Sequence, residues 1–160
     1  MKTPKIEFVY QQITDAQKQE VINFWVAENA LNEDQARKRV DQIALIARGD
    51  DNQVIGVSTM AKRLYEPIGK TFWVFRAFVA EGHRQQGVVL QLISEAKEHL
   101  NNRFNEGKDS DVIGILLKVQ SPILMKHFPQ ATWPRTQFHF VGIEDGCHIR
   151  ISYFDGAKIA

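Results

Sequence analysis

The sequence predicts an α/β (α+β) fold: a mixed, mostly antiparallel central sheet of about six to seven strands, with flanking helices. Three observations lead there. Apolar, β-branched and aromatic runs recur between clusters of Gly, Asn and Asp, as strands do between reversals. Two capping boxes mark helix starts near the beginning of the chain. A long amphipathic stretch from Val88 separates two apolar runs, Thr71 to Ala80 and Val112 to Val119, and a crossover of that length makes the two strands parallel.

In chain order, Ile6 to Tyr10 reads as a strand, and Thr14 with Gln17 opens a helix from about Asp15 to Asn29 whose apolar side carries Val21, Phe24 and Trp25. Asn32 with Gln35 opens a shorter helix, with Ala36, Val40 and Ile43 at helical spacing. Ala44 to Arg48 and Val54 to Leu64 form a hairpin around Gly49 to Asn52. Pro67 and Gly69 turn the chain into Thr71 to Ala80.

Val89, Leu92, Ile93, Ala96, Leu100 and Phe104 share one face of the following helix, opposite Gln91, Ser94, Glu95 and Glu98. Val112 to Val119 is almost continuously apolar, as in a strand covered on both faces. Ser121 and Pro122 begin a short helix that Pro129 stops. Thr136 to Ile143 and His148 to Phe154 flank Glu144, Asp145 and Gly146 as a last hairpin, which also offers a surface for a homodimer.

With 160 residues, 44% of them hydrophobic, the chain fits a single domain, 1–160, without repeats or a dividing linker. A net charge of +1 supplies no broad basic field for nucleic acid or an anionic membrane. The one cysteine, Cys147, has no intrachain partner, the N-terminus lacks the apolar core of a signal peptide, and no apolar run reaches bilayer length, so a cytoplasmic location is expected. His127, His139, His148 and Cys147 lack metal-ligand spacing, and no metal is expected.

The chemistry-bearing stretch runs from Val79 to Leu100. Arg84, Gln85, Gln86 and Gly87 lead from a strand into the best helix of the chain, where the unpaired N–H groups of a first turn can hold a pyrophosphate. Glu81 and His83 are the titratable groups beside that turn and candidate general bases. Tyr65, Ser121 and His127 are candidate proton donors, and Arg76, on an aromatic strand, a candidate contact for an acidic substrate.

The element order resembles the GNAT superfamily of acetyl-CoA-dependent N-acetyltransferases over nearly the whole chain. In that family a valine-containing strand end precedes a turn of the form [Q/R]-x-x-G-x-[G/A], whose amides bind the CoA pyrophosphate. The matching residues are Val79 and then Arg84, Gln85, Gln86, Gly87, Val88 and Val89, with Val89 departing from the last position. The resemblance implies a parallel strand pair at a splay, acetyl-CoA as co-substrate, and cofactor contacts at Phe78, Val79, Arg84 to Val89 and Ser121. The splayed strand ends near Val79 and Val119 would admit the pantetheine arm.

A second family signature, with Asn, Tyr and Gly-Phe at set spacing, falls on Ser121, Phe128, Thr132 and Trp133, so the position of the usual general-acid Tyr holds Phe128. The implied activity is transfer of an acetyl group to a primary amine of a small molecule or peptide by direct attack. The alternative is a non-catalytic CoA-binding or protein-interaction module of the same fold.

Overall fold

The computed structural model describes residues 3–160. The elements are β1 (Lys5–Phe8), α1 (Asp15–Ala27), α2 (Glu33–Arg39), β2 (Ile43–Arg48), β3 (Val54–Tyr65), β4 (Lys70–Val79), α3 (Val88–Asn105), β5 (Val112–Val119), α4 (Pro122–His127), β6 (His139–Glu144) and β7 (Cys147–Tyr153), with 3-10 turns at Val40–Gln42 and Glu81–His83. Among the described residues the strands form one seven-stranded sheet in the order β1-β2-β3-β4-β5-β7-β6. β4 and β5 pair in parallel, from Thr71 opposite Val112 to Phe75 opposite Leu117, as the crossover through α3 requires. β1–β2, β2–β3, β5–β7 and β6–β7 are antiparallel.

Chain packing divides into two compact units. One runs to Met60 and includes Ala77–Ala96; the other comprises Ala61–Arg76 and Lys97–Ala160. In the first, Thr14 and Asn32 each accept from the third residue of their helices while Gln17 and Gln35 reach back, so both capping boxes form. α1 ends at Ala27, earlier than the spacing predicts, because Asn29 takes φ +57° and lets Ala30 N–H bond the Trp25 carbonyl at 2.9 Å. Val21, Ile22, Phe24 and Trp25 of α1 pack with Ala36, Val40, Ile43, Ile46 and Val57, each large side chain contributing about 1.5–3 kcal/mol by leaving water.

Ile43, expected on the helical face with Ala36 and Val40, instead begins β2: its backbone is extended at ψ 127° and it pairs with Thr59. Arg48 ends β2 as a buried cation with its charge matched. Its Nε meets Glu7 at 2.7 Å, its Nη atoms meet both oxygens of Glu20 at 2.8 and 2.9 Å, and Nη1 also donates to the Asn52 carbonyl. These partners push the Arg48 pKa upward.

In the second unit Phe72, Ile113, Leu116, Ile149 and Ile151 form the core. β5 and β7 approach so closely at Gly114 that a Cβ there would overlap the Ser152 carbonyl oxygen. Asp145 and Gly146 both take positive φ in a two-residue reversal between β6 and β7. The predicted strand start at Thr136 is corrected to His139. Gln137 adopts φ +56°, and its N–H bonds the Trp133 carbonyl, folding 133–138 into a closed loop.

Candidate functional site

β4 delivers Phe78 and Val79 to the start of the site, and the 3-10 turn Glu81–His83 carries the chain to residues 84–87 and α3. Gly87 has φ +75° with nothing within 4 Å of a built Cβ. That left-handed conformation suits glycine and leaves open space over the turn. α3 then runs for 18 residues. Among the described residues the N–H groups of Gly87, Val88, Val89 and Leu90 have no hydrogen-bond partner, whereas the Gln91 N–H is the first to bond back, to Gly87, at 3.1 Å. Four consecutive donors at the positive end of a long helix are a candidate cradle, able to hold an anion by their chemistry, and Gly87 is exposed.

Arg84 stands beside this cradle in a defined pose. Its Nε donates to the Val79 carbonyl at 3.0 Å, and its guanidinium lies 5.2 Å from the centre of the Phe78 ring, itself edge-on to Phe24. His83 Nδ1 lies 3.0 Å from Gln86 Oε1. With Nδ1–H donating to that oxygen, Nε2 carries the free lone pair a base needs. Glu81 is exposed, as are Gln85 and Gln86. Val88 is fully buried and Val89 half-buried, and the main-chain N–H at 89 is a donor whatever non-proline side chain it carries.

The depth at which α3 enters is set by a residue the sequence reading passed over. A Cβ at Gly56 of β3 would lie 3.3 Å from Val79, 3.4 Å from Val88 and 3.5 Å from Leu92. The missing side chain lets the first turn of α3 and the end of β4 settle on β3. An isolated Gly inside a strand pattern is the signal that marks such a close approach.

The remaining candidates lie in the second unit. The Ser121 hydroxyl accepts the Leu124 N–H at 3.2 Å and caps α4. Phe128 is the C-cap of α4, its ring edge-on to Trp133 at 6.4 Å. Thr132 Oγ1 lies 3.0 Å from His139 Nδ1. His127 is exposed at the end of α4, Tyr65 packs edge-on to Phe72, and Arg76 is exposed on β4. Among the described residues no group of three or more His, Cys, Asp or Glu side chains is placed to hold a metal, and no helix is long and apolar enough to cross a membrane.

No protein-family model and no curated protein matches the chain by sequence. Solved structures do match it. A GNAT-family acetyltransferase from Streptococcus pneumoniae is similar over 95% of this chain and 99% of its own, at 12% identity and TM-score 0.62. Tetrahymena GCN5 is similar over 98% and 99%, at 14% identity and TM-score 0.54. A Tyr-to-Phe mutant of the AtaT toxin, bound to the C-terminus of the antitoxin AtaR and acetyl-CoA, is similar over 95% and 94%, at 14% identity and TM-score 0.59. The chain thus has the GNAT fold, with the mixed sheet and single parallel pair that its sequence predicts.

Proposed function

We propose that the protein is an acetyl-CoA-dependent N-acetyltransferase, acting as a single 1–160 domain on a primary amine of a small molecule or peptide. The observation that carries this reading is the row of unpaired amides from Gly87 to Leu90 at the head of an 18-residue helix. A pyrophosphate fits that donor set, and the Arg84 guanidinium, held by Val79 and Phe78, adds a positive charge beside it. The GNAT fold supports the assignment of that anion to CoA.

Acetyl-CoA supplies an acyl group already activated as a thioester. The amine nitrogen attacks the carbonyl, the C–S bond breaks, and the amine gives up one proton while the thiolate gains one. A lysine-like amine, with a pKa of about 10.4, is neutral in roughly one molecule in 2,500 at pH 7, so a base matters. His83, through Nε2, and Glu81 are the groups beside the cradle for that role. The leaving thiol has a reference pKa of about 8.5 and departs near neutral pH without a strong acid, which makes Phe128 at the general-acid position tolerable.

Phe128 also favours a second reading, a CoA-binding module without transfer. A panel of amines, polyamines, amino acids and peptides assayed for thiol release from acetyl-CoA separates the two. Release with one amine, matched by its N-acetyl product, supports transfer; CoA binding with no release across the panel supports the module.

A further inference from the structure

Among the described residues two arginines are buried, Arg48 and Arg150, and they differ in their partners. Arg48 is matched by Glu7 and Glu20. Arg150 of β7, 1% exposed, meets no carboxylate among the described residues. Its Nη1 and Nη2 reach the Ala131 and Phe128 carbonyls at 3.4 and 3.3 Å, its guanidinium lies 4.5 Å from the centre of the Trp133 ring, and its Nε is buried without a partner. Burial alone acts on its pKa, and lowers it. Burying a guanidinium without an opposite charge is costly, and a cation–π contact offsets only part of that cost. Stability gives no reason to keep a cation there.

A second orphan stands next to the first. His148 lies two residues before Arg150, hence on the same face of β7 and about 7 Å away along the strand. Its Nδ1 is buried and unpartnered, and its ring is edge-on to Phe140 at 5.2 Å. His148 pairs with Val119, and Arg150 with Leu117, at the C-terminal end of β5. In sheets with parallel strands, the carboxyl ends are where ligands collect. Trp133 and Phe140 thus flank two cationic or donor groups with unused nitrogens.

We propose that the His148–Arg150 face of β7, within the second unit, is a recognition site for a small-molecule carboxylate; the site stands on the two orphan nitrogens. Burial of Arg150 does not oppose the proposal. The segment 128–133 holds the guanidinium through two long bonds to neutral carbonyls and the face of the Trp133 ring, with no opposite charge. A carboxylate brings the opposite charge that these carbonyls lack, and it accepts two parallel N–H bonds from a guanidinium, so it competes with them for Arg150. The neutral Nδ1–H tautomer of His148, or its cation, donates to the second oxygen.

The Trp133 indole N–H donates to the same Phe128 carbonyl that Arg150 touches, at 3.0 Å, so its resonance reports on the site. The full chain, 15N-labelled and with no CoA or amine present, is titrated with propionate, propionamide and inorganic phosphate, the Trp133 signal being assigned through Trp133→Phe. Propionate is expected to shift that resonance saturably, with a Kd of about 1–10 mM, as suits one charged anchor, and propionamide to leave it in place. Arg150→Met abolishes the response. His148→Leu, which keeps Arg150 and the fold, weakens propionate binding about fivefold. No saturable shift by about 100 mM, an equal shift with propionamide, a stronger response to phosphate, or an unchanged affinity in His148→Leu overturns the proposal. Failure of acetyl transfer would leave this titration standing, and its failure would leave the Gly87 cradle untouched.

Discussion

Arg84 donates its Nε–H to the carbonyl of Val79 at 3.0 Å, tying the turn before α3 to the last residue of β4. That single bond, with the Phe78 ring 5.2 Å from the guanidinium, fixes the orientation of the positive charge beside the cradle. Among the described residues the two Nη groups have no hydrogen-bond partner in the protein, so the fork is oriented yet uncommitted. Orienting it in the free protein lowers the cost of ordering it on an anion. Arg84→Met is therefore expected to raise the acetyl-CoA Kd about tenfold, or ~1.4 kcal/mol, by calorimetry. The salt dependence of binding should shrink with it. Arg84→Lys should recover little, since an ammonium cannot hold both geometries.

Gly87 at φ +75° is the conformational requirement of the cradle. Gly87→Ala places a Cβ in the left-handed region and should cost about 1–2 kcal/mol in urea denaturation. It should also weaken acetyl-CoA binding. Asn, which tolerates this region, should cost less than Ala in both measurements.

Gly56 tests the packing beneath the cradle. A Cβ there meets Val79, Val88 and Leu92 at 3.3–3.5 Å, so Ala forces small shifts and Val forces large ones. Gly56→Val should destabilise by about 1–3 kcal/mol, with a matching fall in Tm. Because the displaced atoms belong to the first turn of α3, ligand binding should weaken even under conditions where the variant remains folded.

Glu20 gives the first unit a pH dependence. The hydrogen bond from Arg48 holds its carboxyl below the ordinary value of 4.5. A carboxylate with a depressed folded pKa contributes stability that is present above its unfolded pKa and is lost as pH falls through the folded value. Urea midpoints should therefore decline from about pH 4.5 downward, and Glu20→Gln should be less stable at pH 7 with a shallower decline. Glu20 is 45% exposed, so solvent screens the effect.

Phe128 occupies the place where the family signature has Tyr. If the position faces the leaving thiol, Phe128→Tyr should raise thiol release about tenfold or more at pH 6, where a general acid counts most. An unchanged rate across pH 6–9 would remove the position from the proton path.

What was legible in the sequence was local. Thr14 with Gln17 and Asn32 with Gln35 form the expected capping boxes because their partners lie one turn away. Asp145–Gly146 reverses the chain as that dipeptide demands, and the turn expected around Gly87 precedes α3. The misses were places where tertiary contact overrode spacing. Ile43 sits at helical spacing from Ala36 and Val40, yet pairing with Thr59 draws it into β2. Gly56, an isolated glycine in a strand pattern, signals a close approach but not by what, since Val88 and Leu92 arrive from another element. Arg150 alternates like any strand residue. That Trp133 and the carbonyls of Phe128 and Ala131 close over it depends on how the loop after α4 returns to β7.

The central claim is that the amides of Gly87, Val88, Val89 and Leu90 hold the pyrophosphate of CoA. Their backbone 1H–15N resonances, followed during an acetyl-CoA titration, test it most directly. The account predicts that the largest shifts in the chain fall on these amides, saturate below about 1 mM acetyl-CoA, and are seen at the same amides when inorganic pyrophosphate is titrated alone. Saturable binding whose largest shifts lie elsewhere, or no shift at these amides by about 1 mM, would contradict it.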